Sequence, residues 1–197
     1  VSPIELRDDL QQRNRVANGP PAIWILVLID LTVFAILFLA FFQSRASQRS
    51  AFDAAQAHLS APLGLINVVV LLTSSLFVVM AVNAARDGQA GATARALLYA
   101  AICGVVFLLI KVVEYTLKFS VGSDVFAGDF FMFYVVLTGL HALHVIAGVA
   151  MLGVLRIRAA RGRYVGDRVS VIESGAIYWH MVDLLWVLIF PLLYLAR

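Results

Sequence analysis

The chain has 197 residues, 62% hydrophobic and 14% charged, with a formal net charge of +3 and a mean hydropathy of +0.92. That balance excludes a water-soluble globular domain. The basic residues point to no nucleic-acid partner, because they collect beside apolar runs, where arginine sets topology or meets lipid headgroups. With a single cysteine, Cys103, neither a disulfide nor a thiolate metal site can be built within the chain.

Five apolar runs, at roughly 22–42, 63–85, 96–117, 130–155 and 174–196, are each long enough to cross a hydrocarbon core of about 30 Å. Runs of this length are helical, since a helix satisfies its own backbone polar groups in lipid, and period-two alternation of the kind a membrane barrel needs is absent. The predicted fold is an all-α membrane protein, a bundle of five transmembrane helices in one domain over 1–197, with no internal repeat.

Residues 1–21 read as a polar leader carrying Glu5, Arg7, Asp8, Asp9, Arg13 and Arg15. No small-residue cleavage pattern follows the first run, so that run is expected to be a retained helix rather than a signal peptide. "NGPPAIW" at 18–24 suits a helix entry, with two prolines where missing N–H groups cost least and then an interfacial tryptophan. Inside this first helix, near its midpoint, stands Asp30. A carboxyl group there is either a neutral, hydrogen-bonded acid joining two helices or a proton-relay or lipid-sensing site.

The second and third runs are separated by "RDGQAG" at 86–91, a tight turn that makes them antiparallel neighbours. The third ends in "KVVEYTLK", where Glu114 has Lys111 three residues before it and Lys118 four after, on one face. Lys118 is placed to snorkel to headgroups, and the deeper Lys111 to ion-pair with Glu114. The fourth run contains "TGLHALHVIAG", with His141 and His144 a turn apart among small residues that permit close helix contact. The fifth contains "YWHMVDLLW", with His180 and Asp183 a turn apart and Trp179 and Trp186 seven apart on a neighbouring face. These polar groups are expected to satisfy one another between helices, Asp183 orienting His180 or both bonding to His141 and His144. Histidines on one helix cannot both be axial ligands of one haem, which leaves His141 or His144 with His180 as the haem alternative.

Lysine and arginine fix the expected orientation. With the N-terminus cytoplasmic and the C-terminus outside, ten fall on the inner side, including the five of the 156–173 loop, and four on the outer.

"LGLINVVVLLTSS", "KVVEY", "LTGLHALHVIAG" and "ESGAIYWHMVDLLW" stand in the order and spacing of subunit III of haem-copper oxidases, and from residue 22 onward the chain resembles that family. Lys111 before Glu114, "DFFMFY" at 129–134 and "FPLLYL" at 190–195 resemble the short, five-helix forms associated with nitric oxide reductases, often called NorE-like. The resemblance implies that Asp30 occupies the place of an intramembrane carboxylate, usually glutamate, linked to proton uptake or to support of the catalytic subunit. It places Asn67, Glu114, Tyr115, His141, His144, Glu173, Trp179, His180 and Asp183 on motif positions of mostly structural role. It implies no haem or metal bound by this chain, these belonging to partner subunits, and a phospholipid cleft that five helices alone leave incomplete.

The expected function is therefore that of an accessory subunit without catalytic residues of its own, in a cytochrome c oxidase or nitric oxide reductase type complex of a bacterial plasma membrane. It would support stability, lipid packing and proton uptake of the catalytic haem-copper subunit. Two other classes stand beside it. One is a proton-coupled transporter using Asp30 and Glu114, against which the chain shows no inverted repeat or paired broken helices. The other is a membrane b-type cytochrome.

Overall fold

The computed structural model describes residues 21–57, 59–119, 128–162 and 169–195. They form helices α1 (Pro21–Ser47), α2 (Arg49–Gln56), α3 (Ala61–Arg86), α4 (Ala90–Phe119), α5 (Asp129–Ala160) and α6 (Val169–Phe190), the last continued by a π-helical turn, Pro191–Leu195. No strand occurs among the described residues. Five of these helices are long and apolar enough to cross a membrane. The polar leader up to residue 20 and residues 163–168 of the 156–173 arginine loop lie outside the described residues, as does the side chain of Lys118.

The helices run past the hydropathic limits read from the sequence. The first continues to Ser47 rather than 42, the third begins at Ala90 rather than 96, the fourth ends at Ala160 rather than 155, and the fifth begins at Val169 rather than 174. Hydropathy marks only what hydrocarbon accepts, whereas the backbone ladder continues through Gln43, Ser44 and Arg45, or Arg156 and Arg158, at the headgroup level. The region read as a plain loop after the first run holds the eight-residue α2. It is too short to register as an apolar run, yet it buries Phe52 and Gln56 on one face. Phe52 packs edge-on against Phe41 and Phe130, each with ring centroids 5.5 Å apart. Arg45 bridges to Asp53 at 3.0 Å, and the Gln48 amide donates to Asp129 at 2.7 Å. α2 is thereby held against the ends of α1 and α5.

The turn between α3 and α4 is tight, as the sequence suggests. Gly88 sits there at φ +72° and Gly162 at +65° just after α5, in the left-handed region where a Cβ is strained.

Packing places α6 at the centre. It touches α3, α5 and α1, while α4 closes the far side against α3 and α5. The most apolar window of α6 is 61% buried, against 17% for α1, which lies on the outside of the bundle. Two tryptophans of α6 fill the middle. Trp179 lies against Gly104 of α4 and Gly148 of α5. Trp186 stacks edge-on with Phe107 at 4.9 Å between centroids and lies 5.2 Å from the His141 ring. Small residues on α4 and α5 thus admit indole rings between three helices, a contact that lipid-immersed bundles use because no hydrophobic force draws the helices together.

Candidate functional site

The buried polar side chains fall into separate groups along the bundle. At one end, the Lys111 ammonium donates to Glu114 Oε2 at 2.8 Å, to the Tyr134 hydroxyl at 3.1 Å and to the Tyr194 hydroxyl at 3.2 Å. Tyr194 in turn donates to Glu114 Oε1 at 2.7 Å. The i, i+3 spacing on α4 supplies the charge pair. The start of α5 supplies Tyr134, and the π-helical turn after Pro191 carries Tyr194 into reach. The ammonium also lies 5.1 Å from the Tyr134 ring and 5.1 Å from the Trp186 ring, close enough for cation–π attraction. Beside it, Tyr115 and Thr138 hydrogen-bond through their hydroxyls, and Thr138 donates onward to the Tyr134 carbonyl at 2.6 Å. A buried ion pair is stable only when its remaining lone pairs and protons find partners, and here the tyrosines provide them.

Near mid-helix, Asp30 of α1 meets His144 of α5 at 3.4 Å, with side chains 22% and 18% exposed. His144 Nδ1 lies 2.8 Å from the Leu140 carbonyl, which only accepts, so Nδ1 carries a proton. Nε2 then either accepts from a protonated Asp30 or, as imidazolium, donates to its carboxylate. Tyr178 of α6 donates to the His144 carbonyl at 3.3 Å, fixing that turn of α5.

His180 bonds through Nδ1 to the Ser75 hydroxyl of α3 at 2.7 Å. Glu173 receives Arg86 of α3 in a forked contact at 2.9 and 2.7 Å. Asn67, His141 and Asp183 are buried; the polar atoms of Asn67 and His141 have no hydrogen-bond partner among the described residues, and the Asp183 carboxyl lies beside the Ser75 hydroxyl.

The expected single cluster of His141, His144, His180 and Asp183 is therefore divided. Residues three apart on a helix point about 60° apart around its axis. On α5 that angle sends His141 inward to Phe107 and Trp186 and His144 outward to α1. On α6 His180 bonds to Ser75 of α3, and Asp183, more deeply buried, lies beside the same hydroxyl. Each histidine is thus committed to a different neighbour, and no three His, Cys, Asp or Glu side chains gather as a ligand set among the described residues. Tyr134, Tyr194, Ser75, Arg86 and Tyr178 complete these contacts and were not singled out as site residues from sequence. The available signal was a hydroxyl or guanidinium at the end or middle of an apolar run, which names a candidate donor without naming its acceptor.

Comparison with known proteins gives the arrangement a family. The profile described as cytochrome c oxidase subunit III matches residues 13–196. The "Heme-copper oxidase subunit I+III" of Aeropyrum pernix is 29% identical over 89% of this chain and 22% of its own length. The "Cytochrome c oxidase subunit 3" of Corynebacterium diphtheriae is 26% identical over 94% of both chains. That of Formosania lacustris is 32% identical over 66% of this chain and 49% of its own. The chain thus spans about a fifth of the first relative, half of the third and nearly all of the second. A match that runs through all five long helices, including every polar group described above, is a match of the whole bundle. The chain belongs to the cytochrome c oxidase subunit III family.

Proposed function

We propose that this subunit III acts as an accessory, metal-free membrane subunit that covers a helix face of a catalytic haem-copper subunit and exchanges protons beside it through the Asp30–His144 pair. The observation that carries this reading is the contrast between that pair and the other ionisable groups. Lys111, Glu114 and Asp183 are buried in the bundle. Asp30 of α1 and His144 of α5 instead meet at 3.4 Å with both side chains partly exposed, beside the least covered helix, where a partner would meet them. A relative whose printed name joins subunits I and III in one chain supports a subunit I as that partner. Haem and copper would reside there, and phospholipid would fill the remaining apolar faces of α1.

Relatives named for cytochrome c oxidase support oxygen as the acceptor. The short five-helix form does not favour nitric oxide by itself, since a relative named cytochrome c oxidase subunit 3 aligns over 94% of its own length. The test is turnover of oxygen and of nitric oxide over time in membranes containing the parent chain, Asp30→Asn, or no chain. Without the chain, initial turnover and the partner's haem spectrum should stay largely intact while activity decays faster or becomes limited by proton supply. Asp30→Asn should reproduce only the proton-limited part, because the amide keeps size and hydrogen bonding but releases no proton. Identical time courses for all three would reduce Asp30 to packing, and loss of the partner's haem with its protein intact would replace the accessory reading with a cofactor role.

The proposed orientation in a bacterial plasma membrane has the N-terminus and the 156–173 loop cytoplasmic. Single cysteines at Arg161 and Ala54, with Cys103 removed, should react with an impermeant thiol reagent from opposite sides of the membrane. Reaction of both from outside would overturn the N-in arrangement.

A further inference from the structure

We infer that the core layer formed by Asn67, His141, Trp186 and Asp183 is a binding site for internal water. Helices α3 and α6 run antiparallel in a register marked by Gly64 against Phe190, Ser75 bonded to His180 and Arg86 bonded to Glu173. One turn along α3 from Gly64 reaches Asn67, and one turn back along α6 from Phe190 reaches Trp186, so the two stand at one level. The rings of His141 and Phe107 meet Trp186 at that level from α5 and α4. Asp183 lies a turn further along α6, beside Ser75. The Lys111 ammonium bounds the layer on the opposite side, 5.1 Å from the Trp186 ring.

Five polar atoms in this layer have no hydrogen-bond partner among the described residues: both of the Asn67 amide, both His141 nitrogens and the Trp186 indole nitrogen; the Asp183 carboxyl, beside the Ser75 hydroxyl, borders them. Their side chains are at least 97% buried. Such groups cost free energy in a low-dielectric interior unless something bonds to them. The mixture identifies the occupant. The amide and indole N–H groups repel a bare cation, and the carboxyl and amide oxygens repel an anion. Water both donates and accepts, and buried waters typically take about three such bonds. The inference is independent of the gas that the complex reduces and of the role of Asp30.

The test is water-edited solid-state NMR on the isotopically labelled full chain in phosphatidylcholine vesicles, with indole signals assigned by Trp186→Phe and Trp24→Phe. Water magnetisation should reach the His141 ring and the Trp186 indole at mixing times that leave the buried methyls of Val78 silent. Silence of both, with transfer visible at the exposed Trp24, would overturn the site. In Asn67→Leu, read in samples whose backbone spectrum matches the parent, transfer to His141 should be lost. Its persistence at full strength would show that the water is not held in this layer.

Discussion

Glu114→Ala is expected to destabilise the bundle by about 3–5 kcal/mol, the cost of leaving a buried ammonium without its counter-charge. Lys111 and Glu114 are each almost wholly buried, at 2% and 1% exposure. With Glu114 gone, the Lys111 ammonium would lose the carboxylate that faces it while still meeting the neutral phenol oxygens of Tyr134 and Tyr194, and Tyr194 would lose the carboxylate it donates to. Replacing both charges, as Lys111→Met with Glu114→Gln, should recover most of that loss, because the similar volumes keep the packing and no charge is left alone. Unfolding by heat in mild detergent measures both variants. A double variant as unstable as Glu114→Ala would mean that the fold depends on the network's geometry rather than on charge balance. Tyr194→Phe should cost less than Glu114→Ala, since it removes the two hydrogen bonds of one hydroxyl while the charge pair survives.

The second large effect is steric. A Cβ at Gly148 would stand 2.6 and 2.7 Å from ring carbons of Trp179, and one at Gly104 would stand 2.6 Å from Val149 and 2.8 Å from Trp179. The indole is therefore already in contact with both glycines, so a methyl at either one would press on the ring. Gly148→Ala should cost about 1–3 kcal/mol by overpacking. Trp179→Leu should cost a comparable amount by leaving a gap. Together they should cost less than the sum, because the smaller side chain makes room for the new methyl. Strict additivity in the same thermal assay would mean that Gly148 and Trp179 do not share this contact.

What the sequence makes legible here follows from the range over which each interaction acts. Five helices are readable because twenty apolar residues in succession have one solution in lipid. The Lys111–Glu114 pair is readable because both partners lie on one helix, where spacing alone fixes their distance. Tyr134 and Tyr194 join that pair through the register of α5 and the π-helical turn, which no local pattern specifies. His141 and His144 show the limit most clearly. Their shared motif suggests a shared role, yet a small rotation around α5 gives one an aromatic core and the other a carboxyl partner on α1. α2 escapes detection for a different reason: its stability comes from Phe41, Phe130 and Asp129 of other helices rather than from its own eight residues. The family motifs located the polar positions, while the pairing among them depended on helix packing.

The central claim is that this chain contributes packing and proton exchange to a complex whose metals lie in another subunit. Affinity purification of the tagged chain from its own membranes in mild detergent, with subunit composition, metal content and the reduced-minus-oxidised haem spectrum recorded together, tests it most directly. The haem and copper should co-purify with a larger membrane subunit and disappear when a harsher detergent strips that subunit away, leaving this chain folded and colourless. A haem spectrum or stoichiometric copper retained by the isolated chain, or its recovery without any haem-bearing partner, would contradict the account.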